Sequence, residues 1–203
     1  MPASRHLEKV LAHAERGLPA ASAKRPAEAL PLYEKFVKIE EHRVRLRHQS
    51  GGGGREICAL RVELLDVVLR HIFALVAGFV EKQKAVSPLT VIALGGYGRG
   101  ELNPFSDVDV MFLHDKNGSR ISPYAAEVVE QILYLLWDIG FKVGHSTRSI
   151  SGAIALANKD MLTKTAMLES RHVTGDPDLA RRFREQFREK CVEGREREYV
   201  ELR

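Results

Sequence analysis

Two aspartates one residue apart, Asp107 and Asp109, are the side chains most able to do chemistry in this chain. They stand in the run Ser106-Asp107-Val108-Asp109-Val110-Met111-Phe112-Leu113. On a strand, residues i and i+2 share a face, so both carboxylates point one way while Val108, Val110 and Phe112 point into a core. Carboxylates side by side repel each other, which raises one pKa or calls for a cation. Mg²⁺ suits such a pair, because it takes hard oxygen ligands and binds through one or two carboxylates plus substrate phosphates. Just upstream lie Gly95, Gly96, Gly98 and Gly100. Glycines so close together let the backbone approach a ligand and adopt positive φ, and free N–H groups in such a turn can hold phosphate oxygens. The combination points to metal-assisted transfer to or from a nucleotide phosphate.

The elements that must position these groups read as strand, glycine-rich turn, strand. Thr90 to Leu94 is short, apolar and β-branched, as a buried strand requires. No Gly-Lys-Ser/Thr follows the glycines, which excludes a Walker A loop. GGYGRG is followed by a strand pattern rather than a helix, so it does not read as a dinucleotide fingerprint.

GGYGRGEL followed by NPFSDVDVMFL resembles the signature of the DNA polymerase β-type nucleotidyltransferase superfamily. Within it, LWDIGFKVGHSTRSI at Leu136 to Ile150 and KTAMLESRHVTGD at Lys164 to Asp176 are similar to the bacterial protein-PII uridylyltransferase (uridylyl-removing) family. The resemblance runs from about Arg55 to Glu193. It implies an α/β (α+β) fold, a small mixed sheet flanked by helices with helical N- and C-terminal extensions. It implies transfer of UMP from UTP to a tyrosine of a PII-type signalling protein. Asp107 and Asp109 would hold two Mg²⁺ (or Mn²⁺) ions, and Gly95, Gly96, Arg99 and Ser106 would bind the nucleotide. Glu169 and Arg171 match the family's Glu-x-Arg; Glu169 either reaches the site or makes a salt bridge within its helix. Many superfamily members carry a third carboxylate on the next strand, whereas Phe141 to Ile150 has no acid. That leaves the general base open, with His145 a candidate because imidazole titrates near neutrality. Arg148 is either a triphosphate contact or a surface charge. Relatives continue into a His-Asp phosphohydrolase domain and glutamine-sensing ACT domains, which are absent from these 203 residues. Another acceptor, ATP as donor, or a non-catalytic nucleotide-binding module would share the same motifs.

Composition bounds the rest. With 203 residues, 44% of them hydrophobic, the chain is long enough for a domain with a proper core. Its 31 basic and 27 acidic residues leave a net charge of +4, a mild bias that suits a nucleotide or an acidic partner. No dense basic run with interleaved aromatics argues for direct nucleic-acid binding. The two cysteines, Cys58 and Cys191, have no metal-ligand spacing and read as free thiols of a cytoplasmic protein. No apolar run reaches transmembrane length.

In chain order, residues 1–54 read as a helical extension and glycine linker, with Leu30, Tyr33, Phe36, Val37 and Val44 along one helical stripe. The basic run His42 to His48 reads as a solvated helix face rather than a phosphate patch. Residues 55–175 form the nucleotidyltransferase domain, opened by a long helix from about Arg55 to Lys84 that covers one face of the sheet. Asn117-Gly118 signals a turn, Ser122-Pro123 a helix start and Gly140 its end. Trp137 is expected in the core. Phe141 to Ile150 is a third strand, and Ser151 to Asn158 and Asp160 to His172 read as helices. Residues 176–203 carry a last helix with the ladder Leu179, Phe183, Phe187 and Cys191, then a charged tail.

Overall fold

The computed structural model describes residues 5–20, 25–115 and 120–194. The Asn117-Gly118 turn and the charged tail from Arg195 onward lie outside the described residues. The elements run α1 (Arg5–Gly17), α2 (Pro26–Gln49), α3 (Gly54–Val80), β1 (Leu89–Ala93), α4 (Gly95–Arg99), β2 (Val108–His114), α5 (Pro123–Ile139), β3 (Val143–Ser149), α6 (Ile150–Ala157), α7 (Met161–Leu168), β4 (Arg171–Gly175) and α8 (Pro177–Phe187). A π-helical turn over Arg188–Val192 extends α8.

The sheet is mixed, in the order β3-β2-β1-β4. β1 pairs antiparallel with both β2 and β4, and β2 pairs parallel with β3. This is the small mixed sheet flanked by helices that the resemblance implies. Both faces are covered. Val91, Ala93, Val108, Val110 and Phe112 pack with Val68, Leu69, Ile72 and Val76 of α3 and Val128 and Ile132 of α5. Ile92, Met111 and Leu113 pack on the other face with Ala153 and Ile154 of α6 and Leu179 and Phe183 of α8. The two sets follow from the period of the strand, since neighbouring residues project to opposite faces. Val10, Ala14, Tyr33 and Phe36 of α1 and α2 join the first of these cores. Gly51, at φ +95, turns the chain from α2 towards α3.

Local signals place the helix ends well. Ser122 accepts a hydrogen bond from the Ala125 amide with Pro123 following, and Gly140 closes α5 in the left-handed region at φ 103. Asp176 caps α8 through the amides of Asp178 and Leu179. Leu179, Phe183, Phe187 and Cys191 are all buried.

Four expectations need correction. The glycine segment is not an open turn but a short helix, α4, with Gly100 at its end at φ 80. The helix expected over Asp160 to His172 stops at Leu168, and Arg171–Gly175 is a fourth strand formed against β1. Trp137 is 43% exposed, edge-on to Tyr134 and His145 rather than in the core. The long helix also ends at Val80, short of Lys84.

A polar network crosses the first core. Asp66 of α3, which is 8% exposed, accepts two hydrogen bonds from the Arg171 guanidinium at 2.7 and 2.9 Å. It also accepts one from the Tyr97 hydroxyl at 2.8 Å. Arg171 lies 5.3 Å from the centre of the Tyr97 ring. Burial, then the Asp66 charge, raises the Tyr97 pKa well above its ordinary value, so the phenol stays a donor. Arg70 also approaches Asp66 at 3.4 Å, so this carboxylate has a second, more distant cationic partner beside Arg171.

Candidate active site

Asp107 is the last loop residue before β2, and Asp109 is its second residue. Val108, Val110 and Phe112, at 2%, 1% and 0% exposure, point to the α3 side as the alternation predicts. Asp109 points to the other side, where Met111 and Leu113 are buried further along the strand but the carboxylate stays exposed. The Asp109 pKa is raised, first by partial desolvation and then by the charge of Asp107. Among the described residues no side chain donates a hydrogen bond or ion pair to either carboxylate.

Glycines make room for this pair. On β3, Gly144 is paired with Asp109, and a Cβ there would lie 2.3 Å from Asp109 Oδ1. On α4, Gly95 takes φ +52, and its Cβ would lie 3.8 Å from Asp109 Oδ2. Asp109 therefore sits between the start of α4 and the edge strand β3. Gly96 stands beside Gly95 on α4, where a Cβ would press on the Glu101 carbonyl at 3.0 Å.

The other sequence candidates are distributed less simply. Arg99 ends α4, but its guanidinium pairs with Glu169 and approaches Glu101 at 3.8 Å. To reach a phosphate it has to exchange one of these acids. Glu169 thus pairs across to α4 and not within its own helix. Ser106 is exposed, and its hydroxyl donates to the Asn103 carbonyl at 3.0 Å. It lines a cleft of about 580 Å³ together with Arg45, His48, Arg61, Phe105 and Lys142. The basic end of α2 thus faces this cleft beside the aspartate loop. Phe105 is 99% exposed and holds a positive φ of 116, the only described non-glycine residue to do so.

His145 does not join the carboxylates. In the parallel register it pairs with Val110, so it projects to the opposite face from Asp109, and its ring lies 5.7 Å from that of Trp137. As a general base it is misplaced. Arg148, in register with Leu113, is on the Asp109 side, further along β3. Nothing in the sequence around Gly144 marks its role; only the register of β3 against β2 reveals it.

The donor set fits a divalent cation. Two hard oxygen donors lie near enough for the charge of Asp107 to raise the Asp109 pKa, with no compensating cation among the described residues, and that repulsion is the cost that a metal would relieve. Among the described residues no group of three or more His, Cys, Asp or Glu could hold a metal, so further ligands would come from substrate phosphate and water.

A pH and metal dependence follows. Because the folded pKa of Asp109 is raised, the fold binds this proton more readily than the unfolded chain does. The carboxylate therefore weakens the fold at neutral pH, and that loss is recovered as pH falls through its raised pKa. In EDTA at neutral pH, Asp109→Asn is expected to raise the thermal midpoint slightly. Mg²⁺ or Mn²⁺ is expected to raise that of the parent but not of the variant. Thermal unfolding at neutral and mildly acidic pH checks both, and a metal gain that persists in Asp109→Asn would assign the ion elsewhere.

A four-stranded mixed sheet carrying a carboxylate pair beside a glycine helix defines a nucleotidyltransferase. Residues 75–167, which contain α4, β2 and Gly144, match the family described as nucleotidyltransferase domain. These residues carry a nucleotidyltransferase domain by that match, and the chain is similar to proteins named bifunctional uridylyltransferase/uridylyl-removing enzyme. It is 37% identical to the one from Erythrobacter litoralis over 179 residues, 87% of this chain and 19% of that protein. It is 37% identical to that of Phenylobacterium zucineum and 35% to that of Caulobacter vibrioides, each over 157 residues, 76% of this chain and 16% of theirs. The chain thus spans less than a fifth of the length of these relatives. Among the described residues no helix is long and apolar enough to cross a membrane, and both cysteines are buried.

Proposed function

We propose that this chain transfers UMP from UTP to a tyrosine hydroxyl of a PII-type signalling protein. The observation that carries the nucleotidyl-transfer reading is the pair Asp107 and Asp109, without a side-chain partner among the described residues, with Asp109 beside the start of α4. The choice of UTP and of a PII acceptor rests on the relatives, which are named uridylyltransferases.

Asp107 and Asp109 would hold two Mg²⁺ ions. Bound metal of this kind lowers the pKa of an acceptor hydroxyl and neutralises charge on leaving pyrophosphate. The acceptor hydroxyl loses its proton to solvent, its oxygen bonds to the α-phosphorus, the α–β phosphoanhydride bond breaks, and pyrophosphate departs. The protein's part is to orient both ends of that displacement. Gly95 and Gly96 bring backbone amides to the phosphates with no side chain in the way, and Ser106 offers its hydroxyl from the loop. Arg99, released from Glu169, supplies a charge-assisted contact to the triphosphate.

Labelled UTP and ATP, each incubated with a PII protein and Mg²⁺, test this directly. Transfer from UTP with little from ATP is the expected result. Efficient transfer from ATP, or none to PII alongside transfer to another protein, would replace the donor or the acceptor. A binding-only module is the second reading, favoured by Gly144 standing opposite Asp109 on a strand without acids. Nucleotide binding without Mg²⁺-dependent pyrophosphate release would establish it.

A further inference from the structure

Helix α4 cannot hold itself in place. It has five residues, three of them glycine. A helix of that length does not repay its nucleation, and each glycine weakens it further. Yet a Cβ on its first residue, Gly95, would stand 3.8 Å from Asp109 Oδ2, so the start of α4 borders that carboxylate. Something outside the helix must fix it there.

Two neighbouring residues of the segment before and into β4 do so from two sides. Arg171 forks onto Asp66 with hydrogen bonds of 2.7 and 2.9 Å, and the same carboxylate receives the Tyr97 hydroxyl at 2.8 Å. Arg171 also reaches the Tyr97 carbonyl at 3.5 Å and lies over its ring. Tyr97 is 1% exposed, so the centre of α4 is anchored in the core. Glu169 pairs with Arg99 at the end of α4. Its carbonyl lies so close that a Cβ on Gly98 would come within 2.1 Å of it. The segment is in turn held by β4, where Arg171 pairs with Ala93, two residues before α4.

A buried ion pair is weak evidence of stabilisation, since apolar residues of similar volume often serve stability as well. What a planar guanidinium held at two points supplies, and apolar packing does not, is a fixed orientation. We propose that Asp66 and Arg171 are positioning residues: through Tyr97 their ion pair holds α4 in register against Asp109. The consequence for catalysis rests on the nucleotidyl-transfer reading; the consequence for α4 does not.

The test compares the parent with the double variant Asp66→Leu/Arg171→Met, with Arg171→Lys and with Tyr97→Phe. Three quantities are read: the thermal midpoint, the amide exchange of Gly98, Gly100 and Glu101, and kcat with KM for the nucleotide. These amides donate to the carbonyls of Leu94, Tyr97 and Gly96, so they report α4 itself. The double variant is expected to keep a midpoint near that of the parent while the α4 amides exchange about tenfold faster or more and those of β1 do not change. Its kcat is expected to fall about a hundredfold, as a misplacement near 1 Å produces. Arg171→Lys, which cannot fork, should fall between. If the double variant does not fold, Tyr97→Phe removes one hydroxyl and carries the same readouts. Unchanged exchange in α4, or faster exchange with unchanged kcat, overturns the proposal. A parent that transfers no nucleotide defeats the functional reading instead, and the exchange data alone then decide the clamp.

Discussion

Asp107→Asn and Asp109→Asn are each expected to lower nucleotidyl transfer by on the order of a thousandfold or more while the fold stays intact. Each substitution removes a charge and leaves the shape of the side chain. The residues that build β2 into the core, Val108, Val110 and Phe112, point the other way and are untouched. Neither carboxylate supports the fold through a described partner, and Asp109 works against it by its raised pKa. Circular dichroism should therefore match the parent, with a metal-free thermal midpoint equal or higher. Steady-state pyrophosphate release with saturating Mg²⁺ gives the rate. A variant keeping a tenth of the parental rate would mean that the pair is not where the metal acts.

Gly144→Ala is the second large effect, and it reaches the same carboxylate from the neighbouring strand. The added methyl would stand 2.3 Å from Asp109 Oδ1, well inside contact distance. β3 cannot move aside freely, because it is in parallel register with β2 from Val108↔Val143 to His114↔Ser149. The end of the Asp109 side chain is the softer party and yields. Thermal stability should change little, yet transfer should fall about a hundredfold, since a displacement near 1 Å costs that much in a preorganised site. The metal-induced rise in thermal midpoint should shrink with it. Gly53→Ala is the control, because a Cβ there meets nothing within 4 Å. Equal activity in Gly144→Ala and the parent would show that Asp109 has slack around it, and the cradle described above would lose its meaning.

Much of this architecture was legible in the order of residues. The facing of β2, the Ser122-Pro123 start and Gly140 end of α5, the Asp176-Pro177 start of α8 and its ladder from Leu179 to Cys191 all follow from contacts within a few residues. Period and capping act over that range, so a single sequence carries them. The carboxylate pair belongs here too, because both aspartates lie on one short segment whose alternation is dictated by the pleat.

Other features have no local cause. α4 runs against the propensity of its own glycines and forms because Tyr97 is drawn into a core and onto Asp66, 31 positions earlier. Arg171 and His172 continue a helical pattern in sequence, yet Arg171–Gly175 becomes a strand because β1 offers an edge, Thr174 meeting Val91 in register. His145 has the chemistry of a base, but its pairing with Val110 turns it to the far face, where it meets an exposed Trp137. Gly144 matters solely because Asp109 is its neighbour across the sheet. The chain's own order thus settles which groups can do the chemistry and which way each strand presents them. Which groups actually meet is settled by pairing between strands and by buried charge seeking its partner. Those forces act between residues as far apart as Asp66 and Arg171, and no nearest-neighbour pattern encodes them.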